Sequence, residues 1–180
     1  MRRALTPLLA TLFALAAVPA DAALPVGTRA PDFRTVGALG GKPFGIHLAE
    51  RLKKGPVVLY FYPKAFTSGC TMEAHAFSEA MPEFKRLGAT VIGMSADDLG
   101  TLKQFSVKEC RSAFPVAVAT PNTIKAYDVS MPMVGMVRPM TNRTSYVIAP
   151  DGRIVMVYSD LDWKDHVAKS LAAVRALKGK

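Results

Sequence analysis

Apolar residues along this chain fall into two spacings. Val57-Val58-Leu59-Tyr60-Phe61-Tyr62 is an unbroken apolar run, β-branched and aromatic. It predicts a strand buried on both faces at the centre of a mainly parallel sheet, and Pro63 ends it. Thr90 to Met94 predicts a second buried strand, and Pro115 to Ala119 a third, shorter one. Between them the spacing changes to three and four. Ala74, Phe77, Met81, Phe84 and Leu87 predict a helix over 71–87, kinked or split at Pro82 and stopped by Gly88. Leu102 and Phe105 predict a helix over 99–109, capped by Asp97 or Asp98. Asn122 to Tyr127 reads as a helical turn or two. Thr144 to Ile148 and Ile154 to Tyr158 flank Ala149-Pro150-Asp151-Gly152-Arg153, a hairpin pattern. Residues 162–177 read as a final amphipathic helix. Residues 25–33 read as an extended opening segment, and 34–41, with Gly37, Gly40 and Gly41, as turns.

Strand–helix alternation closed by a hairpin predicts an α/β domain with a central mixed sheet flanked by helices, the order of a thioredoxin-like fold. Fold order alone assigns no activity.

The amino terminus has a different character. Arg2 and Arg3 precede an apolar stretch from Leu5 to Val18, followed by Pro19-Ala20-Asp21-Ala22. Small residues at Ala20 and Ala22 suit a signal peptidase, so residues 1–22 read as a signal peptide and 23–180 as one domain. The apolar stretch is short for a bilayer span, so no stable membrane insertion is expected. Export points to a periplasmic or otherwise extracytoplasmic protein. Without Arg2, Arg3 and Asp21 the formal charge drops from +9 to +8. Such a charge suits nucleic acid, but export argues against that partner and leaves a basic soluble surface.

Cys70 and Cys110 are the only cysteines. A domain of this size needs no staple, so a redox role stands beside a structural one. Cys70 falls at the join of a loop and a helix. Unpaired N–H groups at a helix start favour thiolate over thiol, and thiolate is the nucleophile. Pro63 and Thr67 precede it at fixed offsets. Thr67 has a hydroxyl to donate to a peroxide oxygen or to the sulfur, and Pro63 can shield the sulfur from water. Arg143, just before the strand at 144–148, supplies a cation that this fold can bring beside the helix start.

The segment Tyr60-Phe61-Tyr62-Pro63-Lys64-Ala65-Phe66-Thr67-Ser68-Gly69-Cys70-Thr71-Met72-Glu73 resembles the active-site segment of peroxiredoxins. It is most similar to the peroxiredoxin Q group, also called bacterioferritin comigratory protein. The likeness continues through Val91 to Asp97 and Arg143 to Ile148, ends at Asp151-Gly152, and covers nearly all of residues 23–180. The resemblance implies a thiol-dependent peroxidase of thioredoxin-like fold. Cys70 attacks hydrogen peroxide or an alkyl hydroperoxide and becomes a sulfenic acid. Pro63, Thr67 and Arg143 form the peroxide site, and Glu73 helps orient the arginine. It implies no metal and no organic cofactor, a thioredoxin-like reductant and a monomer.

The chain departs from that group at the second thiol. One usual resolving position is occupied by His75 and another, by alignment, by Ser106. Cys110 remains, one turn beyond Ser106 and expected on the same helix face. A Cys70–Cys110 disulfide during turnover is therefore expected; a one-cysteine mechanism is the rival. The alternative function is an exported thioredoxin-like copper-binding or thiol–disulfide exchange protein. Cys70 and His75 lie about 140° apart around a helix, which makes them poor co-ligands. Met131, Met133, Met136 and Met140 offer soft ligands, yet read rather as an apolar flap near the site or a subunit contact. The copper-binding reading lacks a Cys-x-x-x-Cys pair and gives Pro63, Thr67 and Arg143 no purpose, and the absence of Cys-x-x-Cys counts against the exchange reading.

Overall fold

A computed structural model of the chain describes residues 23–131 and 140–179. The expected leader, Met133 and Met136 lie outside the described residues. In chain order the elements are β1 (Arg34–Leu39), β2 (Lys42–His47), α1 (Leu48–Leu52), β3 (Val57–Phe61), α2 (Ser68–Arg86), β4 (Thr90–Ser95), α3 (Leu99–Lys108), β5 (Val116–Val118), α4 (Pro121–Ala126), β6 (Ser130–Met131), β7 (Met140–Thr141), β8 (Thr144–Ile148), β9 (Ile154–Ser159) and α5 (His166–Lys178).

Seven strands make one mixed sheet in the order β2-β1-β5-β4-β3-β8-β9, and β6 pairs with β7 apart from it. β3, β4 and β5 run parallel; β8 lies antiparallel to β3, with Phe61 opposite Thr144. This last pairing places the start of β8 beside the end of β3, the edge from which the Cys70 loop leaves. Every residue of β3 is buried. Alternation sends Val58 and Tyr60 into a core under α2, α3 and α5. Val57, Leu59 and Phe61 enter a second core with residues of α1 and α4. Each such fully buried side chain contributes about 1.5–3 kcal/mol relative to exposure. Tyr60 stacks on Phe77 of α2 at 4.3 Å between ring centroids, tying β3 to the helix that carries Cys70.

Several expectations need correcting. Residues 34–41 are not a run of turns; with residues 42–47 they form the β1–β2 hairpin, followed by α1. Their glycines conceal the strands, because each has a local job. Gly40 and Gly41 both take positive φ at the tight turn. A Cβ at Gly37 would stand 2.6 Å from the Val116 carbonyl oxygen on neighbouring β5, so only glycine lets the strands approach. α2 begins at Ser68 rather than Thr71 and runs unsplit through Pro82. α5 begins at His166, four residues later than expected. Asp98, not Asp97, caps α3, accepting from the Thr101 amide at 3.0 Å. Cys110 lies beyond the end of α3 rather than on its face, its amide donating to the Phe105 carbonyl at 3.0 Å. Among the described residues no helix is long and apolar enough to cross a membrane.

Candidate active site

The site is built at the carboxyl edge of β3. Tyr62 continues the strand, its amide donating to the Met94 carbonyl at 3.0 Å and its carbonyl accepting from Thr141 Oγ1 at 2.7 Å. Half-buried Pro63 then turns the chain out of the sheet. Asp97 holds the loop that follows. Its Oδ2 accepts from the Ala65 amide and from Ser95 Oγ, each at 2.7 Å. Phe66 adopts φ of 64°, a left-handed conformation strained for a bulky residue. Its ring stands edge-on to Phe105 at 5.2 Å, which anchors the loop over α3.

Thr67 is the N-cap of α2, and Ser68, Gly69 and Cys70 form its first turn. Amides in a first turn have no intrahelical carbonyl to bond, so Cys70 lies among partial positive charges. Cys70 is nonetheless buried, 2% exposed. The Thr67 hydroxyl donates to the Lys64 carbonyl at 2.9 Å and stands exposed beside the sulfur-bearing turn. Its hydrogen is thus turned to Lys64 and not, as expected, to the sulfur.

Arg143 reaches this turn from the residue before β8. It is 5% exposed and is gripped at all three nitrogens. Nε donates to the Leu161 carbonyl at 2.8 Å, Nη1 to Glu73 Oε2, and Nη2 points at Cys70 Sγ from 3.5 Å. Gly69 gives it room: a Cβ there would stand 3.2 Å from Nη2 and 3.8 Å from Trp163 Cδ1. Glu73, one turn after Cys70 on α2, is fully buried. Burial is the largest influence on its carboxyl and pushes it up, to about 8, against the downward pull of Arg143. Burial works against the charge of Arg143, but Glu73 and Cys70 together outweigh it and hold the guanidinium above its ordinary value.

Cys110 is fully buried, and burial pushes its thiol far above the usual range. Both cysteines are free and belong to one apolar cluster. Three α2 side chains hold the Cys110 segment. His75 Nε2 lies 2.9 Å from Glu109 Oε2, Ser78 Oγ donates to the Cys110 carbonyl at 3.0 Å, and Arg111 Nη1 donates to Glu79 at 3.3 Å. His75 is thus a bridge between α2 and the end of α3. Among the described residues no group of three or more His, Cys, Asp or Glu is placed to hold a metal ion.

Pro63, Thr67, Cys70, Glu73 and Arg143 therefore lie in one place, and Cys110 lies behind them in the core. Sequence reasoning missed Asp97 as the loop anchor, the Leu161 carbonyl, and the buried pair Ser145 and His166. Ser145 Oγ and His166 Nδ1 are 2.8 Å apart, behind Glu73. A backbone carbonyl leaves no sequence signal. His166 reads from sequence only as one polar residue in an amphipathic helix.

Residues 26–157 match the AhpC/TSA family. Peroxiredoxin Q of rice chloroplasts (Oryza sativa subsp. japonica) is 31% identical over 153 residues, 84% of this chain and 67% of that protein. Peroxiredoxin Bcp of Xanthomonas campestris pv. campestris is 32% identical over 123 residues, 67% of this chain and 76% of that protein. The crystal structure of peroxidoxin BcpB from Mycobacterium tuberculosis superposes with a TM-score of 0.75 at 30% identity, covering 84% of this chain and 97% of that one. The expected thioredoxin-like arrangement, a mixed sheet flanked by helices, is thereby borne out. By sequence match and by fold, the chain belongs to the AhpC/TSA family.

Proposed function

We propose that this protein is a thiol-dependent peroxidase that reduces hydrogen peroxide or an alkyl hydroperoxide at Cys70 Sγ. The observation that carries this reading is Arg143 Nη2, 3.5 Å from a cysteine sulfur in the first turn of a helix. A guanidinium and first-turn amides stabilise the attacking thiolate and the negative charge that develops on the peroxide oxygens. The thiolate bonds to one peroxide oxygen, the O–O bond breaks, and the other oxygen leaves as water or alcohol after taking a proton. Thr67 orients the peroxide, Pro63 shields the sulfur, and Glu73 holds Arg143 in place. Cys70 becomes a sulfenic acid.

The Cys110 thiol then attacks the sulfenic sulfur, water leaves, and a Cys70–Cys110 disulfide forms. Two electrons and two protons from a thioredoxin-like dithiol restore both thiols. What supports this step is that Cys110 is the second of only two cysteines and shares an apolar cluster with Cys70. Both sulfurs are buried, so the first turn of α2 unwinds or the 109–111 segment loosens from α2 before resolution. The leader-like residues 1–22 support cleavage after Ala22 and work outside the cytoplasm with a reductant of that compartment, and the resemblance to the peroxiredoxin Q group supports a monomer.

Peroxide consumption with a dithiol donor tests the reading, run beside a Cu(I) titration. Turnover abolished in Cys70→Ser, with no stoichiometric Cu(I) binding, is the expected result. Retained turnover in Cys70→Ser would overturn it. The mass of the protein recovered from cell envelope extracts tests the leader, with loss of residues 1–22 expected.

A further inference from the structure

Cys70 and Glu73 on α2, Arg143 before β8 and His166 at the start of α5 are all buried against one another. Arg143 spans the first two, contacting Sγ and Glu73 Oε2. The second carboxylate oxygen, Glu73 Oε1, is buried without a hydrogen-bond partner. It faces His166 Nδ1 at 3.8 Å.

The imidazole has assigned roles. Nε2 lies 2.9 Å from the Asp160 carbonyl, which only accepts, so Nε2 carries a hydrogen. In the neutral ring Nδ1 then accepts from Ser145 Oγ and has no hydrogen to offer Glu73. The gap between Nδ1 and Oε1 separates two acceptors, and it closes into a hydrogen bond only when a proton enters it.

A charge count shows when that proton is needed. With Cys70 as a thiol, Arg143 and an ionised Glu73 cancel. Once Cys70 ionises, one guanidinium faces two anions, and a net buried charge is costly. We infer that Glu73 and His166 form a proton-holding pair that binds one proton as Cys70 loses one, making His166 a positioning residue for the reactive thiolate. The cluster is then neutral in both states, Glu73 Oε1 gains its partner, and Arg143 is left to serve the sulfur. The inference rests on Cys70 being the attacking thiol.

Burial pushes the Glu73 carboxyl up and the His166 imidazole down, so when the pair holds a proton the carboxyl oxygen is its main seat and Nδ1 the acceptor. Of the charged groups facing His166, Arg143 opposes its protonation while Asp160 and Asp165 favour it. The Tyr158 ring covers it edge-on at 4.7 Å. His166 also steadies Arg143 by a second route. It holds the Asp160 carbonyl, and the next carbonyl along, that of Leu161, accepts from Arg143 Nε.

The test is His166→Gln in the full chain, since glutamine donates a hydrogen bond but takes up no proton near neutral pH. Alkylation of Cys70 by iodoacetamide is followed against pH, with peptide mass spectrometry reading Cys110 separately. The expected result is a midpoint higher by about one pH unit, hence alkylation roughly tenfold slower below both midpoints, with peroxide kcat/KM falling there and recovering at high pH. An unchanged midpoint with a uniform loss of rate overturns the inference alone. Full turnover in Cys70→Ser overturns the attacking thiol and this inference together. Infrared spectroscopy of the unaltered protein keeps the test open if His166→Gln does not fold. A protonated-carboxyl band, absent in Glu73→Gln, is expected at neutral pH and weaker in Cys70→Ser. No such band in the unaltered protein overturns the inference.

Discussion

Arg143 and Cys70 lie 73 positions apart in the chain, and the guanidinium Nη2 comes within 3.5 Å of the sulfur. Two features of the sheet make this happen. β8 runs antiparallel to β3, so the residue before β8 sits where β3 ends and the Cys70 loop begins. Leu161 and Glu73 then hold the other guanidinium nitrogens, which leaves Nη2 a single direction in which to point.

Arg143→Lys is expected to lower kcat/KM for hydrogen peroxide by roughly 10²- to 10³-fold, the range for losing one preorganised donor to developing charge. A lysine keeps the charge but not the three-way grip. Steady-state peroxide consumption checks this, with circular dichroism confirming the fold.

After one equivalent of peroxide, the unaltered protein is expected to lose a pair of hydrogens in intact mass as the Cys70–Cys110 disulfide closes. Cys110→Ser should instead gain one oxygen at Cys70. A sulfenic or sulfinic adduct in the unaltered protein, with Cys110 still free, would establish a one-cysteine mechanism.

Loosening the contacts that hold residues 109–111 against α2 should speed that closure. Ser78→Ala removes the hydrogen bond to the Cys110 carbonyl, and His75→Ala removes the bridge to Glu109. A hydrogen bond of about 1 kcal/mol corresponds to a roughly fivefold faster step if it is fully broken beforehand. Trp163 is the only tryptophan and lies 3.8 Å from where a Gly69 Cβ would stand, so stopped-flow fluorescence reports on this turn.

The pH dependence of stability has a definite sign at Glu73. Its carboxyl rises from 4.5 to about 8 on folding, so the folded state binds the proton more tightly than the unfolded chain does. That contribution is full below 4.5 and is lost as pH climbs through about 8. Urea denaturation is expected to show the unaltered protein losing stability relative to Glu73→Gln across this window. Parallel curves for the two proteins would contradict it.

Gly93→Ala tests the packing beneath the site. A Cβ there would stand 2.8 Å from the Tyr60 ring, which is itself stacked on Phe77. Overpacking of this kind costs about 1–3 kcal/mol, read as a lower denaturation midpoint.

The sequence by itself determined the central strands, the amphipathic helices and the candidate site residues that the fold brings together. Val57 to Tyr62 and the α2 pattern are local signals, an unbroken apolar run in the first and a repeat near 3.6 in the second. Cys70, with Pro63 and Thr67 at short offsets before it, could be read because those residues share one loop and one helix start. The β1–β2 hairpin was illegible because Gly37 answers to a neighbouring strand and Gly40 and Gly41 to a turn, and neither leaves an apolar rhythm. Tertiary structure alone decided the rest. Which nitrogen of Arg143 faces the sulfur depends on the Leu161 carbonyl. Whether Asp97 caps a helix or holds the active-site loop depends on β3 and β4 lying side by side. That His166 closes over Glu73 depends on α5 packing across β8 and β9. Each is a contact between segments distant in the chain, where burial turns a hydrogen bond or a charge into a strong constraint that no local pattern records.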